Sequence, residues 1–214
     1  MSETAPRSYR SELRTRQAQE TRSRIVAAAS RLFSSRGYQA TTIAAIAREA
    51  GVSPETVKTS ASKAELLIAA FEVTFSGSEG AETLTDTEVG SGVLDLPDDR
   101  FLDAVLTQIA TANARGHALW TVLLGAALSD PVVDEALRGI LTHRRADFAR
   151  LVDELTSRGI ASDVPDPQAA AAAISFLLSP EGYQQLVVQS GWSEQRYTSW
   201  LRHAVLIECG HYPE

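Results

Sequence analysis

At 214 residues, 44% hydrophobic and 22% charged, the chain has an ordinary globular composition and enough length to bury a core as one domain or two. A single cysteine, Cys209, excludes an internal disulfide, and the longest near-apolar runs, 118–128 and 169–178, are too short to span a bilayer. The net charge of −7 argues against a polyanionic partner for the chain as a whole, yet residues 1–63 carry 11 Lys or Arg against 5 Asp or Glu and residues 64–214 carry 9 against 22. A basic head on an acidic body is the asymmetry of a nucleic-acid-binding module joined to something else. The polar start, Met1 to Arg7, lacks the apolar core of a signal peptide, and the protein is expected to be soluble and cytoplasmic.

Residues 1–20, with Arg7, Arg10, Arg14 and Arg16, read as a basic flexible arm, mobile at its start. From Thr21 the pattern turns helical: Ile25, Ala28, Ala29, Leu32 and Phe33 recur at i, i+3, i+4, i+7 and i+8, and Gly37 supplies a stop. Thr41 or Thr42 can cap a short second helix with Ile43, Ile46 and Ala47 on its apolar side. Ala50-Gly51-Val52 interrupts it. Ser53-Pro54 restarts a helix, because a hydroxyl caps the free backbone N–H groups and proline's missing donor costs nothing at the first helical position. That third helix ends near Ser60. Ser62 caps a fourth, with Leu66, Leu67, Ala70, Phe71 and Phe75 on its apolar side.

Residues 76–99 hold Gly77, Gly80, Gly90, Gly92 and Pro97, seven acidic residues and no basic one, and read as a long irregular connection. Helices are expected at roughly 98–114, 117–128, 131–158, 167–189 and 193–208, with Asp130-Pro131 and Asp166-Pro167 at two starts and Gly159 and Gly191 at stops. Ser179-Pro180-Glu181-Gly182 should break or kink the fourth of these, since proline removes a backbone donor. Few aromatic residues, abundant Ala and Leu, and no alternating apolar run leave no sign of a sheet. The fold class is all-α.

The segment from Thr41 to Lys63 has the form of a helix-turn-helix: a short helix, a tight turn with a glycine, and a second short helix. Gly51 can take the positive φ of the turn and Val52 can plug the two helices together. The second helix is then free to present its first residues to base edges in the major groove.

Arg22, Ile25, Ala28, Ala29, Leu32 and Phe33, then Gly37, Tyr38, Thr41, Thr42, Ile43, Ile46, Ala47, Ala50, Gly51, Val52, Ser53, Thr56 and Val57, then Ser62, Lys63, Leu66 and Leu67, together resemble the DNA-binding region of the TetR family of transcriptional regulators. The resemblance covers residues 21–67. It implies three parts: the basic flexible arm 1–20, an N-terminal three-helix helix-turn-helix DNA-binding domain over 21–67, and a larger helical effector-binding and dimerisation domain over 68–214. It further implies that Thr42, with Thr41 beside it, meets a phosphate at the start of the second helix. Ser53, Pro54, Glu55 and Thr56 would face the major groove, and Lys58 and Thr59 would lie along it or against the flanking backbone. Lys63 would add a phosphate contact, and Arg10, Arg14 and Arg16 would reach the minor groove or the backbone. One departure stands out. Family members usually carry a Tyr after the Thr-Val pair and a Phe before the Ser-Lys. Here Val57 is followed by Lys58-Thr59-Ser60-Ala61-Ser62-Lys63, one residue shorter and without either aromatic, so the third helix is expected to end early or tilt.

Enzymatic chemistry has no carrier in the sequence. Gly90-Ser91-Gly92 fails the spacing of a phosphate-cradling loop, and no G-x-S-x-G elbow or H-E-x-x-H zinc helix occurs. His117, His143, His203 and His211 are scattered, and Cys209 with His211 is too sparse for a metal site. His143-Arg144-Arg145 reads as a solvated face. No cofactor or metal is expected.

The resemblance also implies an unknown apolar small-molecule effector held between helices of the body, in a mostly apolar pocket with a few orienting polar groups. Candidates are Phe101, Val105, His117, Trp120, Leu124, Phe148 and Phe176, each of which plain core packing would equally explain. The last two helices place Ile174, Leu177, Leu178, Leu186, Val187, Tyr197, Trp200, Leu201, Ala204 and Val205 on apolar stripes. Either these close the monomer core, or two copies pack them as a four-helix bundle, and the paired heads of such a homodimer would read a palindromic double-stranded operator. The expected function is a ligand-released repressor. The rival is a helical small-molecule-binding or protein-interaction dimer that has lost operator recognition.

Overall fold

The structure, a computed structural model, describes residues 5–81, 83–87, 89–90, 92–162 and 164–210, with side chains from residue 14 onward. Among the described residues there is no strand. The helices are α1 (Ala5–Ala40), α2 (Ile43–Ala50), α3 (Pro54–Ser60), α4 (Lys63–Ser76), α5 (Asp98–Ala127), α6 (Pro131–Ser157), α7 (Pro167–Leu177), α8 (Pro180–Tyr183) and α9 (Glu194–Glu208). One 3₁₀ turn, Leu84–Asp86, lies in the acidic connection, and α8 runs on as a π-helical stretch, Gln184–Gln189.

Most starts follow from capping chemistry. Thr42, Ser53, Ser62, Asp130, Asp166, Ser179 and Ser193 each accept a backbone N–H of the first turn with their side chain, and proline opens α3, α6, α7 and α8. Pro180 breaks the expected helix 167–189 where its missing donor requires it, after Leu177.

Two expectations change. Residues 5–20, read as a flexible arm, continue the helix of residues 21–40, which breaks at Gly37 (φ 77°, ψ 177°). Residues 10–20 are rich in Arg, Glu, Gln, Leu and Ala, all good helix formers, and contain no glycine or proline. Residues 1–4 lie outside the described residues. The helices expected at 98–114 and 117–128 are one, α5, which runs unbroken through Gly116. A Cβ there would stand 3.1 Å from Phe75 Cδ2, so glycine lets α4 lie close against α5.

The core forms two clusters. One joins Ile25, Phe33, Ile46, Val57, Leu66 and Leu67 of the first four helices to Leu119, Trp120 and Leu123 of α5 and Val133 and Leu137 of α6. The other joins Phe101, Leu102, Leu106, Phe148, Val152 and Leu155 to Ile174, Tyr197, Leu201 and Val205. Phe75, at the end of α4, packs against both. The head is therefore seated on the body through α4 and the second half of α5.

Candidate nucleic-acid interface and effector cavity

The turn between α2 and α3 closes at Gly51 (φ 67°, ψ 37°), and the Val52 N–H donates to the Ala47 carbonyl at 3.0 Å, the long bond of a helix C-terminal motif that needs a left-handed residue. Ser53 then caps α3: its Oγ accepts the Thr56 N–H at 3.0 Å and pairs with Thr56 Oγ1 at 2.8 Å. Val57 is fully buried and anchors the helix, while Ser53, Pro54, Glu55, Thr56, Lys58 and Thr59 are all exposed. Thr59 donates to the Glu55 carbonyl (2.9 Å), and Lys58 Nζ stands 3.9 Å from Glu55. An α3 tethered by one apolar residue shows Pro54, Glu55, Thr56, Lys58 and Thr59 to solvent.

The shortened end of α3 is closed without an aromatic. Ala61 is buried in the head core and its N–H donates to the Val57 carbonyl at 3.0 Å. Arg22 of α1 donates to the Ser60 carbonyl at 3.3 Å and grips Glu79 with its Nε and Nη2, the latter at 2.6 Å, which raises the guanidinium pKa. The sequence motif contained Arg22, but only the fold reveals that it reaches the last carbonyl of α3.

Other expected contacts divide. Thr42 is exposed and accepts the Ala45 N–H at 3.1 Å, with its hydroxyl at the start of α2. Thr41 is corrected: it is fully buried, and its hydroxyl meets the carbonyls of Gly37 (2.8 Å) and Leu32 (3.2 Å), so it locks the end of α1 and faces no phosphate. Lys63 is half-buried, with Nζ 4.2 Å from the Tyr38 ring centroid. Burial pulls its pKa down against the opposing pull of Asp130. Arg14 and Arg16 are exposed on α1; the Arg10 side chain lies outside the described residues.

In the body, two cavities of about 120 Å³ and about 260 Å³ share a wall of Leu84, Ile109, Asp147 and Phe148. Trp120 lines the smaller, Phe101 and Val105 the larger, and Phe148 both. Three candidates fall elsewhere; two of them, His117 and Leu124, lie on other sides of α5, the central helix, which meets α1, α4, α6, α8 and α9. Leu124 packs against the head cluster. His117 lies against Tyr183 with ring centroids 5.7 Å apart, and burial lowers its pKa. Phe176 is 72% exposed on α7.

Arg144 belongs to the cavity, contrary to its reading as part of a solvated face. His143 and Arg145 are exposed, but the Arg144 guanidinium lies 5.8 Å from the Trp120 ring centroid and 6.0 Å from that of Phe148, and donates to the Ser175 carbonyl. Burial lowers its pKa. The signal was the period: Leu137, Arg144, Phe148, Val152 and Leu155 fall on one stripe of α6. Asp147, with its side chain 10% exposed, accepts the Leu84 N–H (3.3 Å) and pairs with Arg150; its pKa is raised by burial, against the pull of both partners.

Of the stripes expected to pair two copies, Ile174, Leu178, Tyr197, Leu201 and Val205 are buried within one protomer and are corrected to core. They recur at four-residue spacing, Ile174 and Leu178 at the end of α7 and Tyr197, Leu201 and Val205 along α9, where α7 packs on α6 and α9, and α9 also packs on α5. Leu177, Leu186, Val187, Trp200 and Ala204 are half-buried, and Val188 (54%) joins Phe176 as exposed.

Residues 25–70 match the family model described as bacterial regulatory proteins, tetR family. No curated protein matches the chain. Among solved structures, a transcriptional regulator from Pseudomonas aeruginosa PAO1 is 17% identical with a TM-score of 0.68, over 88% of this chain and 89% of that one. A TetR-family transcriptional regulator from Rhodococcus sp. is 19% identical with a TM-score of 0.67, over 89% and 99%. The fatty acid degradation regulator FadR from Bacillus halodurans is 21% identical with a TM-score of 0.64, over 86% and 93%. The neighbours share the fold over most of their length, and the matched segment is the one that builds α2, the turn and α3. Residues 25–70 thus match the DNA-binding segment of the tetR family of bacterial regulatory proteins, and the chain as a whole has the fold of these regulators.

Proposed function

We propose that the protein is a cytoplasmic, ligand-released repressor that binds a palindromic double-stranded operator as a homodimer. The observation that carries this reading is α3: one buried anchor, Val57, and an exposed row from Ser53 to Thr59 on a basic head. Ser53, Pro54, Glu55 and Thr56 meet base edges, while Thr42, Lys58, Thr59 and the α1 arginines Arg14 and Arg16 meet phosphates. The half-buried Lys63 adds to the local positive field without reaching out from the Tyr38 ring.

Pairing uses the apolar surface left on α7, the 184–189 stretch and α9, where Phe176, Leu177, Leu186, Val187, Val188, Trp200 and Ala204 are not fully covered. The effector occupies the paired cavities. α4 is what links them to DNA: Leu66 and Leu67 sit in the head core, while Phe71, Glu72, Phe75 and Ser76 line the smaller cavity. A ligand that reshapes the cavity shifts the helix that carries the head, and a coupling of about 1–3 kcal/mol weakens operator binding roughly 5- to 150-fold.

A mobility shift with the DNA upstream of the protein's own gene tests this reading. Binding is expected to fall steeply between about 50 and 200 mM salt as phosphate contacts release counterions, and a flat response contradicts it. Lys58→Ala is expected to weaken binding to all sequences alike, whereas Glu55→Ala or Thr56→Ala changes the sequence preference. Identical behaviour of the three variants would overturn the groove assignment.

A further inference from the structure

We propose that the effector is an anionic amphiphile whose head group is received by Arg144, with the Trp120 indole N–H beside it, and whose apolar body extends past Ile109 and Phe148 into the larger cavity. This rests on the reading of the cavities as the effector site and adds the chemistry of the ligand.

Arg144 is a half-buried cation with no carboxylate within ion-pair distance among the described residues. Arg22, Arg31, Arg138, Arg150, Arg158 and Arg202 each hold a carboxylate within ion-pair distance. Among the described residues Arg144 has only the Ser175 carbonyl as an acceptor, and Glu181 acts on it at longer range. A guanidinium has five N–H donors in a rigid fork, and leaving most of them desolvated and unanswered is unfavourable. The two carboxylates of the smaller cavity are engaged elsewhere: Asp147 by Arg150 and the Leu84 N–H, Glu72 by the Gly80 N–H at 2.9 Å.

Trp120 supplies the second, independent observation. It is 2% exposed, lines the same cavity, and its Nε1–H has no acceptor. Its ring and the Arg144 guanidinium are neighbours at 5.8 Å. Two adjacent donors, the buried Trp120 N–H and the half-buried, charged Arg144, call for an acceptor that bears negative charge; a carboxylate or a phosphate matches the guanidinium fork.

Phe71, Phe75 and Ile109 surround this corner, and Val89, Val93, Phe101 and Val105 line the larger cavity beyond the shared wall. Those surfaces favour a hydrocarbon or aromatic body and offer few groups to orient a polar one. Together the two volumes reach the lower end of the ~300–1,000 Å³ usual for small-molecule sites.

The test is calorimetric titration of the full-length protein with decanoate, decyl phosphate, decanol and decylamine, repeated on Arg144→Gln and Arg144→Lys. The wild type is expected to bind decanoate or decyl phosphate at least about tenfold more tightly than decanol, and the ratio between the two anions tells carboxylate from phosphate. Arg144→Gln is expected to abolish that preference while leaving decanol unchanged, and Arg144→Lys to keep part of it. Should Arg144→Gln fail to fold, Trp120→Phe removes the N–H and keeps a ring; it is expected to weaken the anion several-fold and spare decanol. Equal binding of decanol and decanoate, indifferent to Arg144→Gln, would overturn the anionic head group and leave the effector cavity standing. A preference for decylamine would overturn it in favour of Asp147 and Glu72. No binding by any of the four would overturn both this inference and the effector site.

Discussion

The Tyr38 hydroxyl donates to Asp130 Oδ2 over 2.6 Å, joining the end of α1 to the residue that caps α6, 92 positions away. Tyr38 also stacks on Phe33 with centroids 5.8 Å apart and carries Lys63 Nζ on its face. Asp130 meanwhile accepts the Val132 and Val133 N–H groups. Head and body are thus pinned at one polar joint outside the shared core.

Tyr38→Phe keeps the ring and removes the hydroxyl. A hydrogen bond to a charged acceptor is worth about 1.5–3 kcal/mol, fewer where water reaches it, so a loss of about 1–2 kcal/mol is expected. In a chain of this size that lowers the melting temperature by about 2–8 °C. Thermal denaturation of the variant checks it, and an unchanged melting temperature would show the joint to be slack.

The same bond has a pH signature. The Asp130 carboxyl is held below its ordinary value chiefly by the Tyr38 hydroxyl, against the effect of burial and with help from the Val132 and Val133 N–H groups. A carboxylate with a depressed folded pKa stabilises fully above its unfolded value, about 3.9, and loses that contribution as pH falls through the folded value. The melting difference between wild type and Tyr38→Phe is therefore expected to be constant from about pH 5 to 8 and to shrink below about pH 4. A difference that grows on acidification contradicts the assignment.

Arg22 offers a comparison within one side chain. Arg22→Met removes both the Ser60 carbonyl bond and the Glu79 pair, whereas Glu79→Gln spares the bond to α3. If the end of α3 is held by Arg22, Arg22→Met weakens operator binding about tenfold, the equivalent of one charge-assisted hydrogen bond, and Glu79→Gln much less. Fluorescence anisotropy on labelled operator reads both. Equal losses would place the effect in the acidic connection.

Phe176→Arg puts a charge on the most exposed large apolar residue of α7. On the proposed paired face it is expected to weaken dimerisation on the order of 30-fold or more, the effect of losing a contact of about 2 kcal/mol. Leu128→Arg, at a residue 91% exposed after the end of α5, is the control and should leave the dimer intact. Analytical ultracentrifugation separates the two outcomes.

What could be read in advance followed from local chemistry. Ser53-Pro54, Ser62, Asp130-Pro131 and Asp166-Pro167 announce their helices because a cap and a proline act within one turn. The phase of Arg144 was equally visible but was outweighed by the charges beside it. Thr41 and Thr42 could not be told apart, because which hydroxyl turns inward depends on where Gly37 leaves the chain. The dimer stripe was overcounted for a similar reason: periodicity marks an apolar side, but whether α5 or a second copy covers it is a tertiary fact.

Hydroxyl-radical footprinting of the DNA upstream of the gene, with the wild-type protein bound, tests most directly whether two copies of α3 occupy successive major grooves. The account predicts two symmetric protected patches on one face of the duplex, spaced by one helical turn of about 34–36 Å or a multiple of it, and lost together in Val57→Asp. A single protected patch, or cleavage unchanged by the protein at low salt, would contradict it.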